Sequence, residues 1–180
     1  MLLVVAATER ELVSVRGVET FVCGIGPVDA AIATAQRLAE NDVTRVLHIG
    51  IAGARTLEPL TLVLGSEAVY CDLIDAESTF PRVERVTPDL GLLAAARAAL
   101  PEARVEPIAT SARLGGGTAC DVEAMEGFGV LRAAALAGVP AVELRAISNT
   151  VGEPDRSKWR FDDAFALLGD AVARLAPQLV

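Results

Sequence analysis

Apolar positions in this chain fall into short continuous runs, and alanine-rich stretches with helical spacing lie between them. The run at Leu2–Ala6 is apolar at every position, a pattern typical of a strand buried on both faces. One or two strands are predicted at residues 60–70, and single strands are predicted at 19–23, 45–49, 104–109 and 142–147. Because strands mostly alternate with helices, the pattern indicates one domain, residues 1–180, with a three-layer α/β fold.

Helices are predicted at residues 9–15, 27–40, 90–100, 122–137 and 162–175. Thr8 suits the N-cap of the first helix, and Pro27 suits the first turn of the second. The polar stretch 72–88 and the glycines at 115–117 are expected to be irregular.

The stretch 122–149 combines a helix, a Gly-Val-Pro turn and a buried strand, with polar residues at both ends. Glu123 and Glu126 fall in the first turns of the predicted helix, and Ser148 and Asn149 finish the strand. Ligands of α/β proteins bind at strand ends. We therefore expect this stretch to contribute polar groups to a site.

Structural roles account equally well for these polar residues when composition alone is considered. Glu9, Glu11, Glu123 and Glu126 all fall in predicted first helical turns, where a carboxylate complements the helix dipole by about 0.3–1 kcal/mol. Asn149 suits a cap of the turn that follows the strand. The residues by themselves leave both interpretations open.

Two ionisable residues lie inside predicted strands. Arg145 needs a charged partner if it is buried, and Glu143 or a helix acid is expected to form a structural ion pair with it. His48, the sole histidine, lies in an apolar run and is interpreted as a hydrogen-bonded strand residue. A single histidine argues against a histidine-based metal site or catalytic triad.

Composition narrows the partners and the compartment. The formal net charge is −8 and the basic residues are scattered, which argues against nucleic acid as a partner. No apolar run reaches the roughly 18 residues that a membrane span needs. The apolar start lacks a basic region and is followed by Glu9, so it is interpreted as a strand rather than a signal peptide. Three cysteines without a C-x-x-C pair suit a reduced cytoplasm.

Two glycine-containing segments follow predicted strands. Residues 24–29 open a helix, but Asp29 stands where a dinucleotide fingerprint has its third glycine, so this segment is interpreted as a tight turn beside a pocket. Residues 50–53 are predicted to form a turn at the end of the third strand. Glycines in such a turn allow the backbone to approach a ligand closely.

Four parts of the chain carry a family resemblance: 7–11, 23–31, 49–53, and Met125-Glu126-Gly127 paired with Arg-Ala-Ile-Ser-Asn at 145–149. In order and spacing they resemble the superfamily of purine nucleoside phosphorylases and methylthioadenosine/adenosylhomocysteine nucleosidases, over nearly the whole chain. Within it the chain looks most like the futalosine hydrolases of an alternative menaquinone route, to which residues 151–159 are also similar. The resemblance implies an α/β/α sandwich with a mixed central sheet, and a homodimer or a larger homo-oligomer.

The resemblance also implies roles for individual residues. Glu11 matches the glutamate that activates water, and Glu126 matches the acid that holds the ribose hydroxyls, with Met125 packed on the sugar. The remaining substrate-binding positions implied by the resemblance are Gly50, Ile51, Ala52 and Ser148. The expected ligand is therefore a small purine nucleoside, bound without cofactor or metal.

Asn149 is a departure from the family pattern. The resemblance implies that nucleosidases that cleave adenine have an aspartate at this position. An amide offers both a donor and an acceptor to a purine edge, which suits a 6-oxopurine such as the hypoxanthine of futalosine. The glycine segment carries Ile51 where phosphorylases have a hydroxyl that contacts phosphate. This favours hydrolysis, whereas Arg55 keeps phosphorolysis open.

Three alternatives remain at the level of sequence. A methylthioadenosine/adenosylhomocysteine nucleosidase and a purine nucleoside phosphorylase share the resemblance. A catalytically weakened nucleoside-binding protein is the third, because only residues 110–121 span the place where the family carries a longer insertion that forms the purine-stacking wall. The presence of Glu11 and Glu126 favours an enzyme.

Overall fold

A computed structural model of the chain describes residues 1–73, 81–115 and 118–180. Its strands are β1 Leu2–Ala6, β2 Glu19–Val22, β3 Arg45–Ala54, β4 Leu62–Tyr70, β5 Arg85–Val86, β6 Arg104–Thr110, β7 Val122–Ala124 and β8 Ala141–Thr150. Its α-helices are α1 Glu9–Leu12, α2 Pro27–Leu38, α3 Leu90–Ala99, α4 Gly127–Ala137 and α5 Phe161–Leu175. No helix within the described ranges is long and apolar enough to cross a membrane.

The strands form one mixed sheet, as the resemblance implies. β1 lies between β2 and β3, and all three are parallel. β8 lies between β3, to which it is parallel, and β4, to which it is antiparallel. β4 continues to β6 and β6 to β7, which returns to the end of β3 in antiparallel pairing. The sheet therefore closes on itself at the end of β3.

Helices cover both faces of the sheet, and alanine allows them to pack closely. α3 and α5 cover one face, where Leu92 and Leu168 join the largest apolar cluster. α2 and α4 cover the other face through Ala30 and Leu131. A side chain at Gly129 would approach the carbonyl of Pro27 to 2.5 Å, so this glycine allows α4 to lie directly against the start of α2. The predicted layered α/β class is confirmed.

The structure corrects two predictions that matter for the site. The predicted turn at residues 50–53 is wrong, because β3 continues through these residues to Ala54 while pairing with β8 and β7. The helix predicted from Val122 is also wrong at its start, since 122–124 is strand β7 and α4 begins at Gly127. Glu123 therefore lies in a strand, and Glu126 is the residue that precedes the helix.

Smaller differences lie at the ends of other elements. The first helix ends at Leu12 rather than at Val15, and β8 extends to Thr150. β4 is a single strand, with a register shift against β6 between Gly65 and Glu67. The irregular stretch predicted at 72–88 contains β5, but residues 74–80 lie outside the described residues, as do Gly116 and Gly117 of the predicted glycine loop.

Candidate active site

A cavity of about 520 Å³ opens where β1, β3 and β8 end and α4 begins. This is the edge of an α/β sheet at which ligands bind. Seven of the eight sequence-predicted site residues line it: Glu11, Ile51, Ala52, Met125, Glu126, Ser148 and Asn149. Gly50 lies behind the cavity rather than on its wall. The elements thus bring together residues that are far apart in sequence.

Glu11 is buried in the first turn of α1, and its carboxylate is fixed from two sides. Oε2 accepts hydrogen bonds from the backbone N–H of Thr8 at 2.9 Å and from its hydroxyl at 3.1 Å. Oε1 accepts from the backbone N–H of Ile51 at 3.2 Å. A carboxylate held in this way at a cavity wall can accept a proton from a bound water without having to reorient.

Glu126 lies at the entrance to α4 and is 5% exposed. Its Oε1 accepts a hydrogen bond from the backbone N–H of Gly26 at 3.0 Å, and its Oε2 lies 3.7 Å from Nη1 of Arg145. Burial raises the pKa of Glu126, while the nearby guanidinium of Arg145 acts in the opposite direction. The turn at residues 24–29 therefore does lie beside a pocket, and it supplies a donor to this acid.

Arg145 is fully buried in β8 and forms the predicted ion pair. Its Nε donates to Oε1 of Glu143 at 2.8 Å. Its Nη2 lies 3.1 Å from Nε2 of His48, which must accept because a guanidinium has only donors. Burial, aided by the charge of Arg145, places the pKa of His48 well below its usual value, so the ring is neutral. Nδ1 of His48 has no partner among the described residues. The prediction that this histidine is hydrogen-bonded is therefore correct for Nε2 only.

Gly50 makes room for this arrangement. A Cβ at this position would collide with Nη1 of Arg145 and would lie 2.9 Å from Oε1 of Glu11. Both neighbours are buried, and both are held by hydrogen bonds that a shift would disturb. The absence of a side chain at Gly50 therefore makes room for the guanidinium of Arg145.

We expect Gly50→Ala to lower the free energy of unfolding by about 1–3 kcal/mol, because the added methyl group overpacks a rigid site. Gly91→Ala is the control, since Gly91 is exposed in α3 and an added Cβ would meet only Oδ1 of the exposed Asp89, at 3.1 Å. Denaturant unfolding of both variants measures the effect. Equal stability of Gly50→Ala and the unsubstituted protein would contradict the observed packing.

Asn149 reaches the cavity because β8 is irregular at this point. Ala52 pairs with Ile147 and Gly53 pairs with Asn149, so Ser148 is an extra residue in the β3–β8 ladder. Successive strand residues normally point to opposite faces, and the irregularity allows both Ser148 and Asn149 to line the cavity.

The amide of Asn149 is oriented by its neighbours. Oδ1 accepts from the hydroxyl of Ser148 at 2.7 Å, and Nδ2 donates to the carbonyl of Thr150 at 3.0 Å. An amide has two donor hydrogens and two acceptor lone pairs. One donor and one acceptor position of the amide therefore have no partner within this pair of hydrogen bonds.

An aromatic wall that sequence reasoning did not identify lines the outer part of the cavity. It consists of Trp159, Phe161 and Phe165, with the Trp159 and Phe161 rings 5.5 Å apart. The guanidinium of Arg10 lies 5.2 Å from the centre of the Phe165 ring. The available signal was the clustering of three rings within seven residues of a chain that is only 4% aromatic. Leu114, from the short segment 110–121, also lines the cavity.

Arg55, the candidate phosphate ligand, is engaged elsewhere. Its guanidinium donates to the backbone carbonyl of Cys120 at 2.5 Å and pairs with Glu123 at 3.1 Å. Glu123 is buried and lines the cavity, so a carboxylate lies between Arg55 and the site. The side chain of Ile51 is apolar, and its backbone N–H already donates to Glu11 at 3.2 Å.

Comparisons with known proteins show the family to which the chain belongs. The family model described as Phosphorylase superfamily matches residues 12–180. Futalosine hydrolase of Streptomyces coelicolor is 35% identical over 190 aligned positions, covering 91% of this chain and 80% of that protein. Futalosine hydrolase of Thermus thermophilus is 34% identical, covering 84% and 78%.

Solved structures show the same fold at lower identity. A futalosine hydrolase mutant of Helicobacter pylori superposes with a TM-score of 0.88 at 17% identity, covering 98% of each chain. A nucleosidase (MTAN) mutant from the same species, with 5′-methylthioadenosine in its active site, gives 0.86 at 17% identity, covering 98% of this chain and 97% of that one. The chain belongs to the phosphorylase superfamily, and its curated relatives within that superfamily include futalosine hydrolases.

Proposed function

We propose that this protein is a nucleoside N-ribohydrolase that splits futalosine into hypoxanthine and dehypoxanthine futalosine, a step of menaquinone biosynthesis. The observation that carries the proposal is the placement of Glu11, Glu126 and Asn149 on one cavity wall. The identity of about a third to two futalosine hydrolases supports the choice of substrate.

The reaction breaks the bond between ribose C1′ and purine N9. The bonding electrons leave with the purine, and C1′ acquires the character of an oxocarbenium ion. A water oxygen then bonds to C1′ while its proton moves to Glu11, whose carboxylate is already fixed by Thr8 and Ile51. The purine gains a proton, so hypoxanthine and the free sugar are the products.

Glu126 acts on the ribose in this proposal. A carboxylate accepts two hydroxyl hydrogen bonds, and its negative charge favours the positive charge that develops on the ring. Met125 precedes it on the same wall and supplies apolar contact to the sugar. Because the site is buried, these electrostatic effects are stronger than in water.

Asn149 orients the base in this proposal. Its remaining donor and acceptor match the carbonyl oxygen and ring nitrogens of a 6-oxopurine edge. An amide delivers no proton, so protonation of the leaving purine comes from solvent, and binding rather than acid catalysis is the role of Asn149.

We expect Asn149→Asp to lower the rate of hypoxanthine release by about 10–10²-fold and to raise adenine release from methylthioadenosine, because a buried mispaired polar group costs about 1–3 kcal/mol. Chromatographic quantification of both purines measures the change. Asn41→Asp is the control, since Asn41 is exposed and distant from the cavity lining. An unchanged ratio of the two activities would remove Asn149 from base selection.

A substrate panel tests the proposal itself. The purified protein is incubated with futalosine, inosine and methylthioadenosine, and the released purines are identified. The proposal requires futalosine to have the highest kcat/KM. Efficient cleavage of methylthioadenosine with futalosine left intact would favour the adenine-specific nucleosidase instead.

We propose in addition that the protein works in the cytoplasm as a homodimer. Ile25, Val28 and Ile32 are exposed in the single chain, and Ile25 also lines the cavity, so a second copy would cover apolar surface next to the site. Sedimentation equilibrium is expected to give twice the chain mass of 18.7 kDa. A monomer that retains full activity would contradict this assembly.

A further inference from the structure

Three buried side chains lie behind the cavity wall. Arg145, Glu143 and His48 have no exposed surface, and none of them lines the cavity. Arg145 donates to Glu143 at 2.8 Å, and its Nη2 lies 3.1 Å from His48. The reaction proposed above uses neither Glu143 nor His48 directly.

The other side of the Arg145 guanidinium faces the two acids of the site. Its Nη1 lies 3.7 Å from Oε2 of Glu126. The same nitrogen and Oε1 of Glu11 border the space that a side chain at Gly50 would occupy. One guanidinium therefore lies beside both substrate-facing carboxylates and is held by a pair of residues that do not line the cavity.

Two glycines, Gly127 and Gly65, leave the space that the Glu143 carboxylate occupies. A Cβ at Gly127 would collide with Oε1 of Glu143 and lie 2.5 Å from Oε2, and a Cβ at Gly65 would lie 3.4 Å from Oε2. Oε2 has no hydrogen-bond partner among the described residues. A buried carboxylate oxygen without a partner lowers stability. Glu143 is nevertheless held in place by its ion pair with Arg145, because a buried guanidinium requires an acid.

We propose that Glu143 and His48 are positioning residues that hold the Arg145 guanidinium between Glu11 and Glu126. Glu143 fixes Nε and His48 fixes Nη2, while Nη1 lies 3.4 Å from the carbonyl oxygen of Ile51 and 3.7 Å from Oε2 of Glu126, both residues of the cavity lining. The neutral state of His48 is part of this arrangement, because only an unprotonated Nε2 accepts from arginine. The inference rests on the proposed function for its effect on rate, but its effect on charge is independent of the reaction.

The charge of Glu143 also acts on Glu126. Arg145, Glu11 and Glu143 are the charged groups that face Glu126, and the nearby thiol of Cys23 stays neutral because burial raises its pKa to about 12. The negative charges of Glu11 and Glu143 raise the pKa of Glu126, and Arg145 lowers it. Loss of the Glu143 charge removes one repulsion and leaves Arg145 less neutralised, so the pKa of Glu126 falls. If ribose binding needs ionised Glu126, the acid limb of kcat/KM against pH moves to lower pH.

Glu143→Gln tests the electrostatic part, because glutamine keeps the shape and the acceptor for Nε. Carboxyl ¹³C NMR follows the titration of Glu126, whose signal is assigned by its loss in Glu126→Gln. The titration midpoint is expected to move to lower pH, and the acid limb of the rate profile is expected to move with it. Glu58→Gln, at an exposed position, is the control and leaves both unchanged. An unmoved Glu126 titration in a folded Glu143→Gln protein overturns the inference, whether or not the protein is active.

His48 tests the positional part through a pair of variants. His48→Gln keeps an acceptor for Nη2, whereas His48→Phe removes it. We expect His48→Phe to lower kcat by about 10–10²-fold with KM nearly unchanged, because a small displacement in the site misaligns the reacting groups. His48→Gln is expected to restore most of this rate. Equal kcat values for the two folded variants overturn the role of His48. Absence of turnover in the unsubstituted protein contradicts the proposed function instead. In that case the NMR titration of Glu126 still decides the inference.

Discussion

Glu11→Gln is expected to lower kcat by about 10²–10⁴-fold, the contribution of a general base, while nucleoside binding is retained. Glutamine has nearly the same shape, but its amide does not accept a proton from water at neutral pH. Its amide also meets donors on both sides, from Thr8 and from Ile51, so one N–H faces another N–H. We therefore also expect a loss of about 1–3 kcal/mol in stability.

Single-turnover hypoxanthine release and equilibrium binding of nucleoside separate the two effects. Glu9→Gln is the matched control, because Glu9 is exposed on the same short helix and does not line the cavity. A fully active Glu11→Gln enzyme would show that another group activates water. If the unsubstituted protein binds nucleoside but releases no purine, and Glu11→Gln changes nothing, the nucleoside-binding alternative is the better description.

Glu126→Gln is expected to lower kcat/KM by about 10²–10⁴-fold. Hydrogen bonds to a charged group contribute roughly 1.5–3 kcal/mol each, and the proposal gives Glu126 two of them to ribose. The variant also loses the negative charge that faces the developing oxocarbenium ion. Raising the pH is not expected to rescue the variant, because its amide does not ionise.

A hydroxyl-deletion series tests this second prediction sharply. Inosine and 2′-deoxyinosine are compared in the unsubstituted enzyme and in Glu126→Gln. If Glu126 binds the 2′-hydroxyl, deletion of that hydroxyl costs less in the variant than in the unsubstituted enzyme, as in a double-mutant cycle. Equal costs in both proteins would place Glu126 away from the 2′-hydroxyl.

The elements that sequence predicted correctly are those with a strong local signal. β1 is a continuous apolar run, and α3 begins where Asp89 caps it by accepting from the backbone N–H of Leu92. The end of β3 and the strand β7 were missed because their conformation depends on pairing with each other and with β8. Glycine at positions 50 and 53 indicates a turn when only the local sequence is considered, whereas pairing with β8 and β7 keeps these residues in the strand.

Only part of the candidate site could be predicted from the sequence, because some of its contacts also depend on the folded sheet. Family motifs identified Glu11, Glu126 and Asn149, and the burial of Arg145 required an acid such as Glu143. Arg145 and His48 are 97 positions apart in the chain, and no local sequence pattern predicts a contact across such a separation. The orientation of Asn149 likewise depends on the extra residue Ser148 in a ladder that only the folded sheet reveals.

Turnover of futalosine in phosphate-free buffer, with both products identified by mass spectrometry, tests the central claim most directly. The structure predicts hypoxanthine together with the free dehypoxanthine sugar, at a rate that added phosphate does not change, because Ile51 offers no hydroxyl and Arg55 is paired with Glu123. An absolute requirement for phosphate, with a sugar 1-phosphate as product, would contradict hydrolysis.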